Sequence, residues 1–137
     1  MAERLILDTG VLVAVGRHRV DSAAALDPAS DVVVPAIVVA ELLVGVELAG
    51  SEGVRRERQA FVDLVVEHLP VIDYTLDVAA AHARLLADTR RTGRARGRHD
   101  LIVAACASAT GRTLLTTDAR ADFMGLAGVD VRLIEPE

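Results

Sequence analysis

The chain has 137 residues, which are enough for one ordinary domain and leave little room for a second. Apolar residues make up 52% of it but aromatic ones only 2%, so the core must consist of aliphatic side chains, which favours helices packed on a buried sheet. By itself, the net charge of −5 argues against a nucleic-acid-binding protein, although only to a small degree. The lone cysteine, Cys106, excludes an internal disulfide and is expected to be a small core residue.

Short apolar runs alternate with longer helical segments. In chain order, the sequence predicts a strand at residues 4–7, a helix at 9–16, a strand at 31–34, helices at 35–48 and 51–70, a strand at 71–72, helices at 75–92 and 100–110, a strand at 113–116, a turn or short helix at 118–123 and a strand at 129–133. Because the strands are short and continuously apolar, we predict one α/β domain over residues 1–137, with a mostly parallel central sheet flanked by helices. Ligands of such folds bind beyond the carboxyl ends of the strands.

The sequence gives no sign of secretion or of a membrane span. Its start enters an apolar run at once, without the basic region and cleavage site of a signal peptide. The longest apolar stretch, residues 32–46, contains Pro35, Glu41 and Gly45 and is shorter than the ~20 residues that cross a bilayer. We therefore expect a cytoplasmic protein.

Four of the 20 acidic residues stand where a solvated helix face does not explain them. Asp8 and Asp118 each follow a predicted strand, and Asp100 precedes an apolar helix. Glu41 is the only charged residue between positions 31 and 47, and a carboxylate in such a segment is almost never buried without a partner. Taken singly, Asp8 and Asp100 could be N-caps, Asp118 the start of a turn and Glu41 part of a narrow polar stripe.

Taken together, the four acids indicate a metal site. In a parallel sheet these positions meet at one edge, where four carboxylates repel each other and are partly protonated unless a cation holds them together. Oxygen-only ligands suit Mg²⁺ or Mn²⁺ rather than zinc, and the four histidines are scattered. His99, beside Asp100, is interpreted as a surface residue, with a contribution to the acidic group as the alternative. Carboxylate-held metal ions support phosphodiester hydrolysis without a side-chain nucleophile.

With these positions in view, the chain resembles the PIN-domain family and, within it, the VapC-type toxins of bacterial toxin–antitoxin pairs. The segments that carry the resemblance are 5–9 (Leu-Ile-Leu-Asp-Thr), 35–46 with Ala-Glu-Leu at 40–42, 100–111 beginning Asp-Leu-Ile-Val-Ala-Ala, and 114–118 (Leu-Leu-Thr-Thr-Asp) with Asp-Phe at 122–123. They occur in the family's order over the whole chain. The specificity comes from this ordered set rather than from any one segment.

The resemblance implies a three-layer α/β/α fold and a metal-dependent endoribonuclease that acts on single-stranded or structured RNA. It implies that Mg²⁺ or Mn²⁺ is bound by four acids, namely Asp8, Glu41, Asp100 and Asp118. Asp122 is the alternative to Asp118 as the fourth acid, and Thr9 or Thr117 is expected to orient a carboxylate or a water molecule. The resemblance also implies a homodimer and a cognate antitoxin that blocks the site.

Positive charge is concentrated in one segment. Arginine supplies all 15 bases of the chain, and five lie within nine residues: Arg90, Arg91, Arg94, Arg96 and Arg98. Because the planar guanidinium suits phosphate, we predict that this segment, and Arg94, Arg96 and Arg98 above all, binds RNA. A solvated loop and a docking surface for an acidic antitoxin tail are the alternatives. The low aromatic content argues against base stacking as the main source of RNA affinity.

Three other classes of protein share some of these features. A receiver-like signalling module needs an acidic pair at the first strand end and a lysine near the last strand, but Asp8 has no acidic neighbour and the chain has no lysine. A phosphatase with an aspartyl nucleophile would carry a second Asp two residues after Asp8, where Gly10 stands. The third class is a catalytically inactive PIN-fold module that binds a partner protein or RNA.

Overall fold

The computed structural model describes residues 2–18, 27–94, 96–118 and 123–136. This part of the chain contains five strands, β1 (Arg4–Leu7), β2 (Asp31–Pro35), β3 (Val71–Ile72), β4 (Thr113–Thr116) and β5 (Val131–Leu133). It contains five α helices, α1 (Thr9–Gly16), α2 (Ala36–Glu47), α3 (Glu52–His68), α4 (Leu76–Thr92) and α5 (Arg98–Thr110), and a 3₁₀ helix at Phe123–Gly125. The predicted order of strands and helices is confirmed.

The five strands form one sheet in the order β3-β2-β1-β4-β5, and every neighbouring pair is parallel. In the central strand, Ile6 lies opposite Val33 on one side and Leu114 on the other. The chain first runs outward from β1 through β2 to β3, and then adds β4 and β5 on the other side. The carboxyl ends of β1 and β4 are therefore neighbours at the point where the strand order reverses, which is where ligands bind in open parallel sheets.

The central strands are buried because helices flank the sheet. Leu5, Ile6, Leu114 and Leu115 expose at most 1% of their surface. Cys106 on α5 is the predicted core residue, and burial raises the pKa of its thiol to about 11, which makes it a poor nucleophile at neutral pH. No helix within the described ranges is long and apolar enough to span a membrane.

Several element boundaries differ from the sequence prediction by one or more residues, and three of the differences stand out. The strand predicted to start at residue 129 starts at Val131, and Pro35 ends β2 and serves as the N-cap residue of α2 instead of occupying its first turn. The third difference concerns the acidic group: α5 begins at Arg98, so Asp100 lies within its first turn and the N-cap residue is Gly97. The N-cap interpretation of Asp100 is therefore wrong. A carboxylate in the first turn still interacts favourably with the helix dipole.

One buried arginine joins three strands at the amino-terminal edge of the sheet. Arg112 directly precedes β4, and its side chain is only 8% exposed. Its Nη1 donates to the carbonyl oxygens of Leu5 and Asp31 at 3.3 and 2.9 Å, and its Nη2 donates to Asp31 Oδ2 at 3.3 Å. Arg112 therefore ties β4 to β1 and β2 at the edge opposite to the acidic strand ends.

We expect Arg112→Met to lower the free energy of unfolding by about 2–3 kcal/mol, because the two carbonyl groups and Asp31 lose their buried donor. Urea denaturation measures this change. The matched control is Arg132→Met, which removes an exposed pair with Glu3 and is expected to cost at most about 1 kcal/mol. Equal denaturation midpoints for the two variants would contradict the role of Arg112.

Candidate active site

Asp8 is the most enclosed carboxylate at the carboxyl edge of the sheet. It directly follows β1 and is 8% exposed. Its Oδ1 accepts a hydrogen bond from the backbone N–H of Thr9 at 2.8 Å, and its Oδ2 accepts one from the Thr116 hydroxyl at 2.9 Å. Asp8 is thus the N-cap residue of α1, as one interpretation of the sequence had it, but it also contacts the neighbouring strand end. Burial raises the pKa of Asp8, the two hydrogen bonds lower it, and Asp118 raises it.

Thr116 connects the ends of the two central strands. It is the last residue of β4, and its side chain is fully buried. Its hydroxyl donates to Asp8 and accepts a hydrogen bond from the backbone N–H of Asp118 at 3.0 Å. Thr116 is not among the orienting residues that the sequence predicts, which are Thr9 and Thr117. The available signal was a threonine ending an apolar strand two residues before an acid, because a buried hydroxyl needs a partner.

The two threonines that the sequence predicts, Thr9 and Thr117, lie near Glu41 and near Gly10, respectively. The Thr9 hydroxyl is buried beside Glu41 and lowers its pKa, although the hydroxyl has no partner in hydrogen-bonding geometry among the described residues. The Thr117 hydroxyl lies so close to Gly10 that a Cβ there would overlap it. Gly10 therefore allows the first turn of α1 to approach the chain that follows β4.

Glu41 faces the same edge from α2, with its side chain 31% exposed. Burial raises its pKa, the Thr9 side chain and His99 lower it, and the charges of Asp8 and Asp100 raise it further. His99 Nδ1 lies 3.6 Å from Glu41 Oε1. His99 is mostly exposed, as expected for a surface residue, and it also contacts the acidic group, which was the alternative.

Asp100 approaches from the first turn of α5. Burial raises its pKa, Asp8 and then Asp118 raise it further, and His99 lowers it. Its Oδ2 lies against Gly97, where an added Cβ would be only 2.8 Å away. The backbone of Gly97 therefore leaves room for this carboxylate to face the strand ends.

The structure brings the four predicted acids together at the carboxyl edge of the sheet, where their charges act on one another. They form the acidic cluster, which consists of Asp8, Glu41, Asp100 and Asp118. The alternative fourth acid, Asp122, lies outside the described residues. The raised pKa values of Asp8, Glu41 and Asp100 show that these three carboxylates lack enough positive charge nearby, which is the environment that a cation would stabilise.

The donor set of the acidic cluster fits a hard divalent cation, because it consists of carboxylate oxygens with hydroxyls beside them. In the described part of the chain, no three Asp, Glu, His or Cys side chains stand close enough to hold an ion as they are placed. Both oxygens of Asp8 accept hydrogen bonds from within the chain. An ion at this site would therefore require rotation of the more exposed Glu41 and Asp100 side chains towards Asp8.

The three predicted RNA-binding arginines line one cavity, and one of them, Arg98, lies next to the acidic cluster. Arg94, Arg96 and Arg98 line a cavity of about 660 Å³ between α4 and α5, together with Arg90. We call this cavity the arginine basin. Arg91 does not line it and instead pairs with Asp88 at 3.2 Å. A smaller cavity lies beside Gly97, Arg98, His99 and Asp100, so Arg98 borders both cavities.

The class of protein that this fold defines is shown by comparison with known families. The PIN domain model matches residues 5–125. The chain therefore belongs to the PIN-domain family. Its relatives include Ribonuclease VapC5 of Mycobacterium tuberculosis, which is 36% identical over 126 residues covering 90% of this chain and 87% of that protein.

Solved structures agree with this assignment. The structure of VapBC2 from Rickettsia felis bound to a DNA fragment from its promoter superposes with a TM-score of 0.85 at 22% identity, covering 96% of this chain and 99% of the other. VapBC-5 of Mycobacterium tuberculosis, a member of the VapBC family of toxin–antitoxin systems, superposes with a TM-score of 0.79 at 28% identity, covering 96% of this chain and 98% of the other. The predicted PIN-type α/β fold is confirmed.

Proposed function

We propose that this protein is a VapC-type endoribonuclease that acts in the cytoplasm as the toxin of a toxin–antitoxin pair and requires Mg²⁺ or Mn²⁺. The observation that carries the proposal is the meeting of Asp8, Glu41, Asp100 and Asp118, from four separate parts of the sequence, at the switch point of a parallel sheet. The relative VapC5 is a ribonuclease, which supports RNA as the substrate.

The residues that would hold the metal are Asp8 and Asp100, with Glu41 and Asp118 completing the set. When bound there, a divalent cation lowers the pKa of water and offsets charge on the phosphate. The Thr116 hydroxyl keeps the Asp8 carboxylate oriented by donating a hydrogen bond to Oδ2. The raised pKa values of Asp8, Glu41 and Asp100 mean that these carboxylates bind protons more readily than they would in water, so protons would compete with the metal for them.

The arginine basin supplies the positive charge that an acidic protein needs in order to hold RNA. Arg98 borders both the basin and the cavity that contains Asp100, so the positive charge of the basin would attract the polyanion towards the acidic cluster and offset the repulsion between phosphate and carboxylate.

The same proposal includes a homodimer and a cognate antitoxin that blocks the site. Its support is the similarity to VapBC-5, which belongs to a family of toxin–antitoxin systems. The alternative function is a catalytically inactive PIN-fold module that only binds a partner protein or RNA. The placement of four carboxylates at one edge of the sheet, three of them with a raised pKa, favours the nuclease, because binding of a partner gives no reason to bring them together.

The test is cleavage of a panel of transfer, ribosomal and messenger RNA by the purified protein. We expect cleavage with Mg²⁺ or Mn²⁺, its loss when EDTA removes the metal, its return when the metal is restored, and its loss in Asp8→Asn. Folding of the variant is checked by circular dichroism. RNA cleavage that persists in EDTA, or in folded Asp8→Asn, would contradict the proposed chemistry, and the absence of any cleavage would favour the inactive binding module.

A further inference from the structure

The arginine basin differs in charge from the rest of this acidic protein. Four arginines, at positions 90, 94, 96 and 98, contribute to its wall together with His82, and none of the residues that line it is acidic. The basin is an open depression with a volume of about 660 Å³, which is enough room for part of a small organic ligand. A cavity of this size and charge suits an anionic ligand larger than a simple ion.

At least two of these charges are available to a ligand. Among the described residues, Arg90 and Arg98 form no ion pair, and both side chains are exposed. The neighbouring Arg91 is different, because it pairs with Asp88 in the same helix. The positive charge of Arg90 therefore faces the basin, whereas that of Arg91 is balanced elsewhere.

The floor of the basin is apolar. Leu86 from α4 and Leu101 and Ile102 from α5 line it, and they are less exposed than Arg90 and Arg98. At one side, His82 accepts or donates a hydrogen bond through Nδ1 to the hydroxyl of Tyr74 at 2.8 Å, which fixes the orientation of its ring. A ligand that matches an apolar floor under a cationic rim has a flat, weakly polar part and an anionic part, and a nucleotide has both.

The basin also adjoins the acidic cluster. Arg98 borders both the basin and the small cavity that contains Asp100, and these two residues lie in the same helical turn of α5. An RNA strand with one nucleotide in the basin can therefore reach the acidic cluster within a few nucleotides.

We propose, resting on the ribonuclease function proposed above, that the arginine basin is a nucleotide subsite of the RNA-binding track. It binds one phosphate at Arg90 and Arg98 and the attached base over Leu86, Leu101 and Ile102. This subsite fixes the position of the strand, so it determines which phosphodiester bond reaches the acidic cluster.

The experiment uses an RNA oligonucleotide with one mapped cleavage site and a series of variants, each carrying a single neutral methylphosphonate linkage. Each is cleaved by the wild type, by Arg90→Gln and by the matched control Arg91→Gln, which removes the same charge from the same helix end outside the basin. We expect one linkage, away from the scissile bond, at which the modification lowers kcat/KM about tenfold in the wild type and in Arg91→Gln.

In Arg90→Gln this position-specific penalty should become clearly smaller, because one of the two arginines that bind that phosphate is gone. The variant should also cleave unmodified RNA about tenfold more slowly. The slope of log K for RNA binding against log salt concentration should become shallower by about one, because one phosphate contact is lost. An abasic nucleotide at the same position should lower kcat/KM in the wild type, since it removes the base from the apolar floor.

Two outcomes would overturn the subsite. One is a methylphosphonate profile that is the same in Arg90→Gln and Arg91→Gln. The other is normal RNA cleavage by Arg90→Gln combined with weaker binding of a polyglutamate peptide, which would make the basin a protein-docking site. If the wild type cleaves no RNA, the ribonuclease proposal fails separately, and fluorescence anisotropy with the same modified oligonucleotides still decides whether Arg90 contacts one phosphate.

Discussion

Replacing Asp100 by asparagine is expected to abolish RNA cleavage and to leave the thermal stability of the metal-free protein unchanged or raised. Burial and the charges of Asp8 and Asp118 raise the pKa of Asp100, so the folded protein binds a proton there more tightly than the unfolded chain does. The ionised carboxylate therefore lowers stability. This penalty is absent below the unfolded pKa of about 3.8 and grows as the pH rises through the folded pKa. Asparagine carries no charge, and the penalty is removed.

The expected loss of cleavage by Asp100→Asn is at least about 10³-fold, because stabilisation of transition-state charge by a held metal ion amounts to several kcal/mol. Thermal melts with EDTA at pH 7 and at pH 4 measure the stability effect: any gain in Tm should be present at pH 7 and should shrink at pH 4. Added Mg²⁺ should raise the Tm of the wild type and not that of the variant.

The matched control for Asp100→Asn is Asp63→Asn, on the exposed face of α3, where an amide oxygen can still accept from Gln59. It makes the same change in net charge and should alter neither cleavage nor Tm. A large fall in the Tm of metal-free Asp100→Asn would show that Asp100 stabilises the first turn of α5, and would argue against a repulsive acidic cluster.

Local sequence patterns were sufficient to predict which residues end strands. The apolar runs before Asp8 and Asp118 define strand ends, and a charged residue amid an otherwise apolar helix marks Glu41. The strand order β3-β2-β1-β4-β5 does not follow from such patterns, because period and propensity report on single elements. The contact of Asp8 with Thr116 depends on that order, since it requires β1 and β4 to be neighbours.

The arginine segment is a second case in which local sequence patterns do not predict which side chains share a site. Its composition predicted a concentration of positive charge, and all three of Arg94, Arg96 and Arg98 line one cavity. Composition alone did not show that Arg90 lines the basin whereas Arg91 pairs with Asp88. Adjacent positions in an α helix point about 100° apart, so one of them faces the basin while the other lies beside Asp88. That distinction required α4 to be placed against α5. Metal binding and RNA binding by these residues stay predictions.

Thr116→Val is expected to reduce RNA cleavage by about 10- to 100-fold, the usual effect of removing a group that orients a metal ligand. Valine has nearly the same shape but removes both the donor to Asp8 Oδ2 and the acceptor for the Asp118 N–H. The pKa of Asp8 should rise further, because the hydrogen bond that lowers it is gone. The half-saturating Mg²⁺ concentration should therefore increase, and the acid limb of the pH profile should move to higher pH.

Two further variants separate orientation of Asp8 from general packing. Thr116→Ser keeps the hydroxyl and loses only a methyl group. It should therefore have the half-saturating Mg²⁺ concentration of the wild type and most of its activity, even though the substitution leaves a small cavity. Thr117→Val tests the residue that the sequence first indicated, whose hydroxyl lies against Gly10 instead of Asp8. If Thr117→Val raises the Mg²⁺ requirement and Thr116→Val does not, the hydroxyl that orients the acidic cluster belongs to Thr117. The connection between β1 and β4 through Thr116 would then be structural only.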